Sequence, residues 1–106
     1  MDIQIKKGLL DVCVLAVINK KDSYGYQIIK DASICIEISE STLYPILKRL
    51  EAGGCLSTYS MEHNGRLRKY YRITALGKHR INDFFEEWSE LERINKFIMQ
   101  EANQSL

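Results

Sequence analysis

The apolar residues change period along the chain, and each change marks a new element. From about Lys6 to Asn19 nearly every position is apolar, with Leu9, Leu10, Val12, Cys13, Val14, Leu15, Ala16, Val17 and Ile18 in close succession. A helix apolar on almost every side must be covered on almost every side, which a small domain rarely manages alone, so a second subunit is the natural cover. A second helix is predicted from Tyr24 to about Ala32, capped by Asp22 or Ser23, with Tyr24, Ile28 and Ile29 at helical spacing. Ile34, Ile36 and Ile38 alternate with Cys35 and Glu37, a short strand. Ser39 caps a third helix over residues 40–52, whose buried stripe is Leu43, Ile46, Leu47 and Leu50. Pro45 breaks the rule for helix interiors but is tolerable within the first two turns. Gly53-Gly54 supplies a left-handed stop.

The period then shortens to two. Cys55–Glu62 and Leu67–Ile73 are the predicted strands of a hairpin, joined around Asn64-Gly65, where both residues tolerate positive φ. Alternation sends Arg68, Tyr70 and Arg72 to one face and Lys69, Tyr71 and Ile73 to the other, which assigns Tyr71 to the core. Thr74 caps a last helix of roughly 25 residues, long for a globular protein. Its apolar positions Ile81, Phe84, Trp88, Leu91 and Ile98 keep a three-four spacing, and Asn95 falls where the next apolar residue is due. An asparagine in such a seam can fix register and oligomer state. The predicted fold is mainly α with a small β-hairpin: a winged helix-turn-helix over residues 1–73, then a C-terminal dimerisation helix over 74–106, one structural domain overall.

Charge sharpens this picture. The formal total is only +1. By segment, residues 1–47 carry −1, residues 48–80 carry +6 and residues 81–106 carry −4. The positive block coincides with the end of the third helix and the hairpin, a pattern that predicts a local polyanion contact. A hydroxyl-rich helix start fits a DNA major groove, and an arginine-bearing hairpin beside it suits phosphates or a minor groove. The candidate DNA-contacting residues are Tyr24, Ser39, Ser41, Thr42, Tyr44 and Lys48, with Arg66, Arg68 and Lys69 at or near the hairpin tip. The competing reading lets Ser41 and Thr42 only cap, Tyr44 only pack and Lys48 stay solvated. Arg49 is assigned to a carboxylate partner.

Other classes find little support. Lys6-Lys7 before an apolar run imitates a signal peptide, but Asp11 interrupts the run and ten residues cannot span a bilayer. Cys13, Cys35 and Cys55 have no metal-ligand spacing, and His63 and His79 add none, so no metal or cofactor is expected. The odd cysteine count predicts reduced thiols in a cytoplasm, with a thiol-based redox switch left open. No nucleophile-base-acid grouping or phosphate loop points to an enzyme. A winged helix used as a protein-interaction module is the alternative from another class.

Five segments in register resemble the PadR family of bacterial transcriptional regulators: Ser23-Tyr24-Gly25-Tyr26, Thr42-Leu43-Tyr44-Pro45, Leu47-Lys48-Arg49-Leu50-Glu51, Arg68-Lys69-Tyr70-Tyr71-Arg72-Ile73-Thr74, and Gly77. The short C-terminal part is similar to the family's small branch, and Phe85-Glu86-Glu87-Trp88-Ser89 to the region bearing the drug-stacking tryptophan of its multidrug-resistance regulators. The resemblance implies a homodimer, formed by the last helix on the partner's first helix, and repression at palindromic operators relieved by a small molecule. Leu67 and Glu40 depart from it, since relatives place a basic residue in the wing where Leu67 stands. The dimer interface is expected at Leu9, Val12, Ile81, Phe84, Trp88, Leu91, Asn95 and Ile98. A planar aromatic or cationic effector is expected at Trp88, Leu91 and Glu92, walled by Ile5, Val12 and Ala16. The alternative leaves Trp88 as interface filler.

Overall fold

A computed structural model describes residues 3–105, with side chains described over residues 6–103. The elements are α1 (Ile3–Lys20), α2 (Gly25–Ala32), α3 (Glu40–Ala52), β1 (Leu56–His63), β2 (Arg66–Ile73) and α4 (Ala75–Ser105). The side chain of Ile5, expected to wall the effector site, lies outside the described residues.

The core is built from one stripe of each helix and the inner face of the hairpin. On α1 the buried face is Asp11, Val14, Leu15 and Ile18. Leu10, Val12 and Val17 pack at the core's edge, and Ala16 is exposed. The chain therefore covers one side of α1 and leaves the others open. From α3 the core takes Leu43, Ile46, Leu47 and Leu50, the stripe that the spacing predicts. Tyr71 is 6% exposed, as strand alternation requires. Helix α3 continues through Pro45, and Gly54 (φ +81°) ends it.

The hairpin is antiparallel, with Leu56 opposite Ile73 and His63 opposite Arg66. Asn64 (φ 52°) and Gly65 (φ 80°) form its turn; both are left-handed, the backbone that matches strand twist.

Three local expectations are corrected. Residues 34–38 form no strand. The Ala32 carbonyl accepts from the Cys35 and Ile36 amides, which makes a turn, and Ile34 is 92% exposed. The outer edge of β2 pairs with Ser23: the Ser23 amide donates to the Tyr71 carbonyl (3.1 Å) and the Tyr71 amide to the Ser23 carbonyl (2.7 Å). Neither Asp22 nor Ser23 caps α2; extended Tyr24 holds the cap position without a side-chain bond. Ser39 does hold the cap position of α3, but its hydroxyl bonds other hydroxyls rather than a backbone amide. Thr74 caps α4 as expected, accepting from the Gly77 amide at 3.1 Å.

Helix α4 runs for 31 residues, longer than the sequence suggests. At 1.5 Å per residue it extends about 46 Å. The molecule measures 66 × 26 × 20 Å with a radius of gyration of 17.2 Å, against about 13 Å for a compact chain of this length. Most of α4 therefore projects beyond the core. Phe85, Trp88, Leu91, Ile94, Phe97, Ile98 and Met99 stand about half or more exposed along it.

Candidate nucleic-acid interface

The start of α3 gathers three hydroxyls. Ser39 Oγ lies 2.9 Å from Ser41 Oγ and 3.2 Å from Thr42 Oγ1, and all three residues are exposed. They sit on the positive end of the helix dipole, with the first amides still facing outward. Tyr44 is 47% exposed, with its hydroxyl tucked against Gly25 of α2. A Cβ at residue 25 would collide with that hydroxyl, so glycine there sets the close approach of α2 and α3. Tyr44 thus both packs and shows a ring edge to solvent. Lys48 is exposed one turn further on.

Strand alternation divides the predicted basic tip. Arg66 and Arg68 share the outer face of the hairpin with Tyr70 and Arg72, whereas Lys69 lies on the opposite face. Lys69 is 3.7 Å from Glu51 of α3 and belongs to the packing side. The Arg68 guanidinium stacks 3.9 Å above the Tyr24 ring and donates to the Tyr70 hydroxyl at 3.4 Å. Stacking fixes the plane of that guanidinium while leaving its other N–H groups free to meet an anion. Arg66 is exposed beside the turn.

Below Arg68 runs a cluster that sequence reasoning missed. Tyr59 and Tyr70 stack at 5.4 Å between centroids, and Tyr24 meets Tyr70 edge-on at 5.5 Å. Asp22, just before α2, accepts from the Tyr59 hydroxyl (2.7 Å) and from Arg72 Nε (3.1 Å). The Tyr59 hydrogen bond, with help from Arg72 and against some desolvation, holds the Asp22 carboxyl below the ordinary carboxylate range. The same bond pushes the Tyr59 phenol up. Burial pushes the Tyr71 phenol up on the inner face. The wing is thus tied to the helical part by Asp22 through side chains and by Ser23 through the backbone.

Asp11 forms a second missed hub. Its side chain is 6% exposed, and it joins Arg49 of α3 and Arg80 of α4, the latter at 3.1 Å. The expected carboxylate partner of Arg49 is therefore this residue. The signal was available: a lone carboxylate inside an apolar helical run, if buried, must find a partner.

One groove lines the junction of α1 and α4, and a second lies along α4 alone. The first, about 500 Å³, brings together Leu9 and Val12 of α1 with Phe84, Trp88 and Leu91 of α4, and it is edged by Arg80, Asp83 and Glu87. The Trp88 ring lies 6.3 Å from Phe84 and is half exposed. The second, about 300 Å³, continues along α4 past Trp88, Glu92, Asn95 and Ile98. Glu92 is turned to the tryptophan itself, accepting from its Nε1 at 3.1 Å. Asn95 donates to the Met99 sulfur at 3.7 Å. Of the expected effector residues, Val12, Trp88 and Leu91 share one groove; Ala16 does not line it, and Glu92 lines the neighbouring one. Ile81, expected at a dimer interface, is 9% exposed and packs in its own chain's core, because helical spacing turns it inward. Burial pushes the Cys13 thiol up, with nearby Cys35 adding to the effect. No group of three metal-ligating side chains, and no helix long and apolar enough to cross a membrane, occurs among the described residues.

Known proteins share this fold. A Streptococcus mutans protein, smu.1704, is 44% identical, with 89% of each chain covered and a TM-score of 0.76. A PadR-like transcription factor from Bacteroides fragilis is 32% identical over 90% of this chain and 94% of its own, with a TM-score of 0.81. Bacillus subtilis PadR, solved with operator DNA, shares the fold at 23% identity and a TM-score of 0.65, over 72% of this chain and 46% of its own. The model of the PadR-like transcriptional regulators matches residues 14–83. On its hydroxyl-headed α3, its arginine-bearing hairpin and this match, the chain belongs to the PadR-like family of transcriptional regulators.

Proposed function

We propose that the chain is a homodimeric repressor that binds an inverted-repeat operator and is released by a planar aromatic cation. The observation that carries the DNA reading is the juxtaposition of two features at the start of α2, where Tyr44 of α3 packs on Gly25 and Arg68 of the hairpin stacks on Tyr24. One is the exposed hydroxyl cluster at the start of α3; the other is the Arg66–Arg68 face of the hairpin, with Arg68 braced on Tyr24. In the proposed complex Ser39, Ser41, Thr42 and Tyr44 meet the major groove. Lys48 and the two arginines meet phosphates, and Lys69 contributes charge from the far face of the wing. The operator DNA bound by Bacillus subtilis PadR, a protein of the same fold, supports the choice of partner.

The dimer follows from α4. A helix that projects from the core with seven large apolar side chains half exposed needs a second surface. A second copy supplies one in the flank of α1 that carries Leu9 and Val12. Residues 1–73 then form the DNA-binding part and residues 74–106 the dimerisation helix. In this arrangement the grooves beside Trp88 meet across the two-fold axis. Trp88 and its symmetry mate form a flat slot, where stacking contributes about 0.5–1.5 kcal/mol beyond burial. Arg80 is committed to Asp11, which leaves Asp83 and Glu87 to set the sign of the groove and to favour a cation.

The decisive experiment compares operator and random duplexes over a salt series. Thr42→Ala and Tyr44→Ala lower specific affinity more than non-specific affinity. Arg66→Ala and Arg68→Ala weaken all duplexes alike and reduce the salt slope by about one unit per lost phosphate contact. Equal losses on both duplexes in the α3 variants contradict base contact by that helix. Planar cationic dyes test the effector: quenching of Trp88 with loss of DNA affinity supports it, and quenching without that loss removes its regulatory part.

A further inference from the structure

Away from the Trp88 grooves, the C-terminal half of α1 and the segment from Asp31 to Ile36 enclose a separate groove of about 550 Å³. Its walls are Val17, Ala32, Ile34 and Ile36, and its charged residues are Lys20, Lys21 and Asp31, a net positive set. Ser23 also lines it. The Ser23 hydroxyl is buried and has no hydrogen-bond partner, although both backbone groups of the residue are satisfied by Tyr71. A buried hydroxyl left unpaired is uncommon and destabilising, and a ligand group is one way to satisfy it.

We propose that this groove binds a small aliphatic carboxylate, one per protomer. The apolar body lies against Val17, Ala32 and Ile36. The carboxylate is held by Lys20 and Lys21, and a turn of the Ser23 side chain about its Cα–Cβ bond lets the hydroxyl donate to it. No aromatic side chain lines the groove, so it offers no stacking platform, and a flexible aliphatic body fits it better than a planar ring. The two lysines select an anion, which separates this site from the acid-edged groove at Trp88. Ser23 is also the residue whose backbone joins the α2 start to β2, so a ligand there bears on the attachment of the wing.

The test is an octanoate titration of the full chain, followed by methyl NMR of Val17, Ala32 and Ile36, with Trp88 emission recorded alongside. Neither readout requires DNA, so the outcome is separable from that of the operator experiment. The expected result is saturable shifts at these methyls, unchanged Trp88 emission and no shifts with acetate, which lacks the apolar body. Lys20→Glu/Lys21→Glu, at exposed positions outside the core and with folding checked by circular dichroism, weakens octanoate at least tenfold. Ser23→Ala weakens it several-fold while leaving the unliganded melting temperature equal or higher. Four results overturn the proposal: no saturable shift up to millimolar octanoate, equal binding by the glutamate variant, binding abolished by Trp88→Ala, or intermolecular contacts placing a second copy's side chains in the groove before ligand is added.

Discussion

Removing the Asp11 carboxylate should loosen three helices at once. In Asp11→Ala the side chains of Arg49 and Arg80 lose their shared partner, which ties α3 and α4 to α1. Each charge-assisted hydrogen bond contributes about 1.5–3 kcal/mol. The two guanidinium groups are 48% and 42% exposed and can turn back into water once released, so the full cost of an unpaired buried charge does not apply. The expected loss is about 2–3 kcal/mol, which at about 4 °C per kcal/mol lowers the melting temperature by about 8–12 °C. Removing both arginines is worse, because Asp11 is 6% exposed and stays behind without a partner. Arg49→Ala/Arg80→Ala should therefore cost more than the two single variants together. Urea unfolding followed by circular dichroism, at one fixed protomer concentration, measures all four variants; fixing the concentration matters because a dimer's stability depends on it. A loss below about 0.5 kcal/mol in Asp11→Ala, or simple additivity of the two arginine variants, would refute the shared-carboxylate reasoning.

Further outcomes follow from neighbouring contacts. Asp22→Asn should lower the melting temperature at pH 7. Because Tyr59 and Arg72 hold the Asp22 carboxyl below its ordinary value of about 3.9, that contact's stabilisation is present above this value and is lost as pH falls through the lower folded value. The gap between wild type and Asp22→Asn in a pH series of melting curves should thus close below about pH 4; a constant gap there contradicts the contact. Gly25→Ala should cost about 1–3 kcal/mol by crowding the Tyr44 hydroxyl. Tyr44→Phe in the same chain should recover much of that loss in denaturant melts, and no recovery would remove the clash as the cause. Leu91→Glu or Ile98→Glu, on the exposed stripe of α4, should shift sedimentation equilibrium toward monomer while leaving the helical content of residues 3–74 intact.

The parts of the fold with strong local signals were legible in the sequence. The stripe of α3, the Asn64-Gly65 turn and the inward Tyr71 each follow from short-range periodicity or from backbone preference. The failures have a common origin in contacts between distant residues. Ile34, Ile36 and Ile38 alternate like a strand, but the Cys35 and Ile36 amides close a turn on the Ala32 carbonyl, and the residue that does bridge to β2 is Ser23, which carries no strand signal. Asp22 has the chemistry and position of a cap, but Tyr59 and Arg72, distant in the chain, claim its carboxylate. Lys69 is close to Arg66 and Arg68 in sequence, but the period of two sends it to the opposite face, where it meets Glu51. Asp11 interrupts an apolar run, and a charge buried there requires cationic partners, which are Arg49 and Arg80, distant in the chain.

Selection of binding sites from randomised duplex DNA by the full-length chain tests the regulator reading most directly. The predicted result is enrichment of an inverted repeat whose half-sites are centred about 34 Å, one helical turn, apart, with the enriched site losing its advantage over random DNA when Thr42 and Tyr44 are both replaced by alanine. Recovery of no common sequence, or of one whose preference survives those replacements, would contradict it.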